Sequence, residues 1–235
     1  LGKDGRWNRQ ISYPSHQLKS LVAECRKRGI PTVFWNKEDP VHFSSFLAAA
    51  GLFDFVFTTD IDCVNNYRRL LGHDRVFWLP FAVQPRLFNP ITDDPRREAI
   101  IFAGAYYTRY PDRARDIEDF IDHLPQVMPV DIYDRNHGSK DPQYCFPERF
   151  QAFVRGRLDP AEVAERTKLY DFALNLNSVK QSQSMFARRV YELLAAGNIV
   201  LSNFSRGMSN VLGDLVVAAD DGAFLARQVR KFRDS

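Results

Sequence analysis

Residues 181–202 read QSQSMFARRVYELLAAGNIVLS, and three polar side chains in that stretch are spaced for chemistry. On a helix, Ser184, Arg188 and Glu192 fall at i, i+4 and i+8 and form one polar stripe, while Phe186, Val190, Leu193 and Leu194 take an apolar face. The loop 177–183, NSVKQSQ, brings hydroxyls and backbone N–H groups, with Ser182, Ser184 and Met185 where the helix is expected to open. A helix N-terminus attracts anions through its free N–H groups and its dipole. Lys180 and Arg188 add positive charge. Two turns in, the Glu192 carboxylate can accept both hydroxyl hydrogens of a ribose. Together these parts suit a nucleoside diphosphate. The same spacing also fits a plain Arg188–Glu192 ion pair on a helix surface.

Other loops carry candidate groups. AIIFAG ends at Gly104, where a glycine permits close backbone approach, and AYYTRYPDRARD then offers Arg109, Arg113 and Arg115 to a diphosphate or to solvent. IYDRNHG has the same form, with Asp134, Arg135, His137 and Gly138 after a strand. NKEDPVHF places Glu38, Asp39 and His42 together, either as a general base and acceptor-hydroxyl site or as a helix cap at Asp39 before Pro40. In TTDID, Asp60 is equally suited to cap the next helix. No GxGxxG follows the first strand of either half, and GxxxxGK[ST], GxSxG and HExxH are missing. Their absence argues against a dinucleotide oxidoreductase, a P-loop enzyme, an α/β-hydrolase and a zincin, and the missing glycine fingerprint weakens a sugar-nucleotide epimerase.

These loops need elements to hold them. The pattern predicts a helix over 15–29, with Leu18, Leu21, Val22 and Cys25 on its apolar face and Gly29 closing it. A strand at TVFW, a helix near 43–50, a strand at FDFVFT, a helix ending at Gly72 and a strand at VFWLP follow. Residues 81–97, with three prolines, read as a linker. Beyond it come strands AIIFAG, PVDIY, DFALNLN, NIVLS and LVVA. Between and after them helices are expected at 111–124, after Asp159 as cap and Pro160, through 184–196, and at the C-terminus. Buried strands alternating with helices mean parallel α/β units. The expected domains are residues 1–90, a partial Rossmann-like lobe, and 91–235, a second such lobe.

The 235 residues are 45% hydrophobic and 26% charged, with a net charge of +3, which suits a globular protein and not a general nucleic-acid binder. No apolar run reaches membrane-spanning length. Cys25, Cys63 and Cys145 are too few and too scattered for a disulfide framework or a CxxC metal site, so a reduced, cytoplasmic setting is expected. The opening LGKDGRWNRQ lacks Met and reads as a Gly/Asp-rich turn in a piece of a longer chain, with further domains expected outside it.

IPTVFWNKEDPVHFSSF, FDFVFTTDIDCVNNYRRLLG, VFWLPFAVQPRLFNP, IIFAGAYYTRYPDRARD, DIYDRN and SVKQSQSMFARRVYELLAAGNIVLSNFSRG resemble, in this order, the CgeB-like family of spore-maturation-type proteins classed as glycosyltransferases. The resemblance implies a GT-B fold, two Rossmann-like lobes facing across a cleft. It implies a nucleoside-diphosphate-sugar donor on lobe 91–235 and an unknown acceptor, a glycan, cell-surface polymer or protein, on lobe 1–90. Retaining GT-B transferases carry two glutamates eight positions apart on the donor helix. Glu192 matches the second, which holds ribose; the first position falls on Ser184, a departure, and an Arg-Arg-x-x-Glu pattern including Arg188 stands in its place. Arg109 and Lys180 match the diphosphate-binding cations, and Gly104, Arg135, Ser182, Ser184 and Met185 complete the expected donor site. The resemblance implies no metal and no cofactor. The alternative is a catalytically silent GT-B-like module that binds nucleotide or partners in assembly or in a spore coat.

Overall fold

The computed structural model describes residues 13–234, so the turn expected at 1–10 lies outside them. The chain forms two compact units, one running up to Phe81 and including Ser182–Met185, the other holding Ala82–Gln181 and the chain from Phe186 onward.

The first unit contains α1 (His16–Lys27), β1 (Val33–Asn36), α2 (Phe43–Ala50), β2 (Phe55–Thr58), α3 (Ile61–Leu71) and β3 (Val76–Trp78). The strands form one parallel sheet in the order β1-β2-β3. Alternate residues Phe34, Val56 and Val76 join Ala49, Ala50, Val64 and Tyr67 in a core, as the two-residue period of a strand requires. The Ser15 hydroxyl caps α1, and Asp60 caps α3, which Gly72 closes in the left-handed region. The apolar face expected on α1 is narrower than its spacing suggests. Val22 is buried, Leu18 and Cys25 are half-buried, and Leu21 is 61% exposed. Asp39 does not cap α2, whose first turn follows His42 without a side-chain cap.

The second unit contains β4 (Arg97–Gly104), α4 (Pro111–His123), β5 (Val130–Asp134), α5 (Val163–Thr167), β6 (Tyr170–Asn175), α6 (Arg189–Ala195), β7 (Ile199–Ser202), α7 (Arg206–Leu212), β8 (Val216–Ala218) and α8 (Gly222–Arg233). The five strands are all parallel, in the order β5-β4-β6-β7-β8. Both faces are covered, which explains strands that read as continuous apolar runs. Ile100, Phe102, Phe172 and Leu174 face Ile117 and Phe120 of α4 and Leu225 and Val229 of α8. Ala99, Ile101, Ala173 and Val200 face Phe186, Val190 and Leu193 on and before α6, and Met208 of α7.

Two helices differ from expectation. The helix expected just after Asp159 starts at Val163 instead, because the Asp159 N–H donates to the Glu162 carboxylate and the Glu162 N–H donates back to the Asp159 carbonyl, closing a turn. The helix expected through 184–196 begins at Arg189, for the reason given below. α7 has no clear period in the sequence and is an addition. In the linker, Arg96 donates to the carbonyls of Ala196, Gly197 and Tyr170, so the end of α6 is tied back to the sheet.

Candidate functional site

The strand order in the second unit reverses at β4: its partner β5 lies on one side and β6 on the other. In open parallel sheets ligands bind outside the carboxyl ends of the strands at such a reversal. The loops leaving β4 and β6, at Gly104 and Asn175, are therefore the place to look.

A hollow of about 220 Å³ lies there, lined by Gly104, Tyr107, Arg113, Asn175, Arg188 and Glu192 among others. A second, of about 360 Å³, shares Gly104, Arg135, Arg188, Arg189 and Glu192 and adds Tyr133, Arg157 and Leu158. Gly104 is needed there because the Phe102 ring folds over it. A Cβ at Gly104 would lie 2.9 Å from Phe102 Cε2 and closer still to Cζ, in a buried part of the sheet. Gly104→Ala is expected to cost about 1–3 kcal/mol by overpacking, read by urea denaturation. Unchanged stability would mean that the ring moves aside freely.

α6 supplies the acid. Glu192 is only 6% exposed; its carboxylate forms ion pairs with Arg188 Nε at 2.9 Å and with Arg189 Nη1 at 3.1 Å. That Arg189 nitrogen is buried and makes no hydrogen bond, so its geometry toward Glu192 is an ion pair alone. The expected polar stripe fails at Ser184, because α6 is a seven-residue helix that starts after Arg188. The Ser182 hydroxyl accepts from the N–H groups of Ser184 and Met185, and Asn177 Oδ1 accepts from Ala187 N–H. Side chains of this kind offer backbone donors an alternative to the helix. Ser184 Oγ itself accepts from Ile61 N–H at 2.8 Å in the first unit, and neither Ser182, Ser184 nor Met185 lines the two hollows.

Positive charge gathers at Tyr107, which sequence reasoning passed over. The guanidinium carbons of Arg109, Arg113 and Arg135 lie 5.3, 5.4 and 6.0 Å from its ring, and Arg135 Nη2 donates to its hydroxyl. Arg113 is 8% exposed and donates to the Ala105 carbonyl; burial pushes its pKa down. Arg115 is exposed and pairs with Asp112. Lys180 stands elsewhere than expected, ion-paired to Asp116 at 2.7 Å and Asp220 at 3.0 Å, so its charge is already met. It lines a separate cavity of about 350 Å³ with Arg109, Arg113 and Asn177.

A buried polar net shapes the loop after β6. Asn175 and Asn177 donate to the Ser202 hydroxyl, and Asn203 donates to Asp116 and to the Asn177 carbonyl. The paired asparagines of DFALNLN were the available signal for it. At the end of β5 the Asp134 carboxylate is buried and accepts from Asn136 N–H, with burial raising its pKa, while His137 is exposed.

In the first unit Glu38 and His42 are exposed, but Asp39 is sealed at 0% exposure. Its Oδ1 accepts from Asn36 and Tyr67, and its Oδ2 accepts from Thr58 Oγ1 at 2.6 Å. The carboxylate braces the strand ends and touches no solvent. Among the described residues, no three His, Cys, Asp or Glu side chains gather as a metal site, and no helix is long and apolar enough to cross a membrane.

Residues 113–235, more than half of the chain, match the protein family described as Glycosyl transferase-like. No curated protein matches the sequence. Among solved structures, a glycosyltransferase from Rickettsia africae ESF-5 aligns with all of this chain and 74% of its own, with a TM-score of 0.59 at 11% identity. A UDP-forming α,α-trehalose-phosphate synthase from Burkholderia vietnamiensis aligns over 96% of this chain and 70% of its own, at 0.56 and 9%. T4 phage BGT, in complex with its UDP-glucose substrate, aligns over 97% and 71%, at 0.52 and 14%. The chain belongs to the glycosyl transferase-like family, and its fold is that of the GT-B glycosyltransferases.

Proposed function

We propose that this chain is a CgeB-like glycosyltransferase that moves a sugar from a nucleoside-diphosphate-sugar donor to a glycan, cell-surface polymer or protein acceptor, with retention and without a metal. The observation that carries the reading is the hollow at the reversal of the second sheet, where Arg113, Arg135, Arg188 and Arg189 surround one buried carboxylate, Glu192. Guanidinium groups fixed before the reaction stabilise the charge that develops on a leaving diphosphate, which is the task a metal performs in other transferases. Glu192 retains lone pairs beyond those its arginines use and takes the ribose hydroxyls. Lobe 91–235 holds the donor, lobe 1–90 serves the acceptor, and the setting is cytoplasmic.

A silent nucleotide-binding module is the second reading. It is favoured by the lack of a free base in the hollow, since both Glu192 oxygens face arginines.

Titration calorimetry with UDP, GDP, CDP and dTDP tests the site. We expect saturable binding of at least one, followed by release of free sugar from the matching nucleotide sugar. Binding without turnover in the presence of candidate acceptors would favour the module, and no binding of any nucleotide would overturn the donor-site reading.

A further inference from the structure

We propose that Tyr107 organises the diphosphate receptor: its ring gathers Arg109, Arg113 and Arg135 to grip the outer phosphate of the donor, a role that rests on the donor-site reading above. Three guanidinium groups brought to one phenol repel one another. The face of the ring attracts cations through its quadrupole but carries no net charge to neutralise them. Among the described residues no carboxylate forms an ion pair with any of the three, whereas Lys180, Arg188 and Arg189 each have an acid partner. Asp116 acts on Arg113 only from beyond ion-pair distance and is itself held by Lys180. The charge of a buried arginine such as Arg113 is therefore unmet within the protein, and an anion is what would meet it.

The position is built as well as charged. Tyr107 stands edge-on to Tyr110 at 6.2 Å and to Tyr144 at 5.7 Å, so its ring is fixed before any ligand arrives. Arg109 also stacks on Tyr110, at 4.9 Å. Tyr107, Arg113 and Arg135 line the smaller hollow beside Glu192, and Arg109 approaches from the adjoining cavity, which Arg113 shares. A ribose at Glu192 and a phosphate at Tyr107 would thus occupy one continuous site.

The test compares UDP, UMP and uridine by titration calorimetry on the unmodified chain, Tyr107→Phe, Tyr107→Leu and Arg109→Gln. Tyr107→Leu should weaken UDP about tenfold by releasing the stacked guanidiniums. UMP and uridine, which lack the outer phosphate, should change by less than about twofold. Tyr107→Phe keeps the ring and should retain most of the affinity for UDP. Arg109 is exposed, so Arg109→Gln keeps the test open if the leucine variant fails to fold, and it should narrow the gap between UDP and UMP in the same sense. Equal losses for UDP and UMP, or an unchanged gap in every variant, would overturn the role of Tyr107 while leaving the donor site standing. Failure of the unmodified chain to bind any of UDP, GDP, CDP and dTDP would remove the donor-site reading, and this one with it; if the chain prefers a base other than uracil, the same comparison is made with that base's diphosphate, monophosphate and nucleoside.

Discussion

Glu192→Gln should weaken nucleoside-diphosphate binding about a hundredfold, because it removes a buried, charge-assisted acceptor from the wall of the site. The carboxylate is 6% exposed and set between Arg188 and Arg189. The amide has the same size, so the hollow keeps its shape. It turns a donor toward one of the two guanidiniums, however, and it holds ribose hydroxyls without charge. Arg189, half-buried with an unbonded Nη1, loses its anion as well. Melting temperatures measured alongside the calorimetry separate that loss of stability from the loss of affinity. Glu192→Asp keeps the charge one methylene short and should recover part of the binding. A folded Glu192→Gln protein that binds nucleotide as well as its parent would reduce Glu192 to the ion-pair role that its spacing from Arg188 equally allows.

What the sequence revealed follows the range of the interaction involved. Strand positions were legible, since AIIFAG, PVDIY and DFALNLN are apolar on both faces and only a doubly covered parallel sheet accommodates them. The cap at Asp60 was open to reading as one of the roles that its position allowed, because a cap acts within three residues. Ser184 misled because helical periodicity says nothing of where a helix starts. The start was decided by Ser182 and Asn177, whose side chains took the backbone donors. The ion pairs of Lys180 were hidden for a different reason: its partners Asp116 and Asp220 are far along the chain, and only the fold brings them together. Tyr107 was hidden the same way. Arg109 and Arg113 are near it in sequence, but Arg135 reaches it across the sheet from the end of β5.

The largest effect on stability is expected at Asp39. Burial pushes its carboxyl up to about 6, against the hydrogen bonds from Thr58 and Tyr67 that favour the charged form and with the nearby Asp60 adding to the rise. The folded state therefore holds the proton more tightly than the unfolded chain. Between about pH 4 and pH 6 it carries more protons, so stability falls as pH rises through that window and the penalty is complete above it. A rise of this size corresponds to about 3 kcal/mol at neutral pH. The protonated form fits without movement of the chain: Oδ2 donates to Thr58 Oγ1, and the Thr58 hydroxyl turns to the Asp60 carbonyl, 3.3 Å away. The substitution Asp39→Asn mimics that form, the new amide donating to Thr58 while its oxygen still accepts from Asn36 and Tyr67. Asp39→Asn should thus match the parent near pH 4 and exceed it by about 3 kcal/mol at pH 7. Asp39→Ala should lose about 2–4 kcal/mol at pH 5, because it strands three buried polar partners. Urea unfolding followed by tryptophan fluorescence reads the right unit, since Trp35 and Trp78 both lie in it. The difference between the parent and Asp39→Asn isolates this one carboxyl from every other titrating group. Parallel profiles for the two proteins from pH 4 to pH 7 would show that Asp39 is charged throughout, held by its three donors more strongly than burial opposes it.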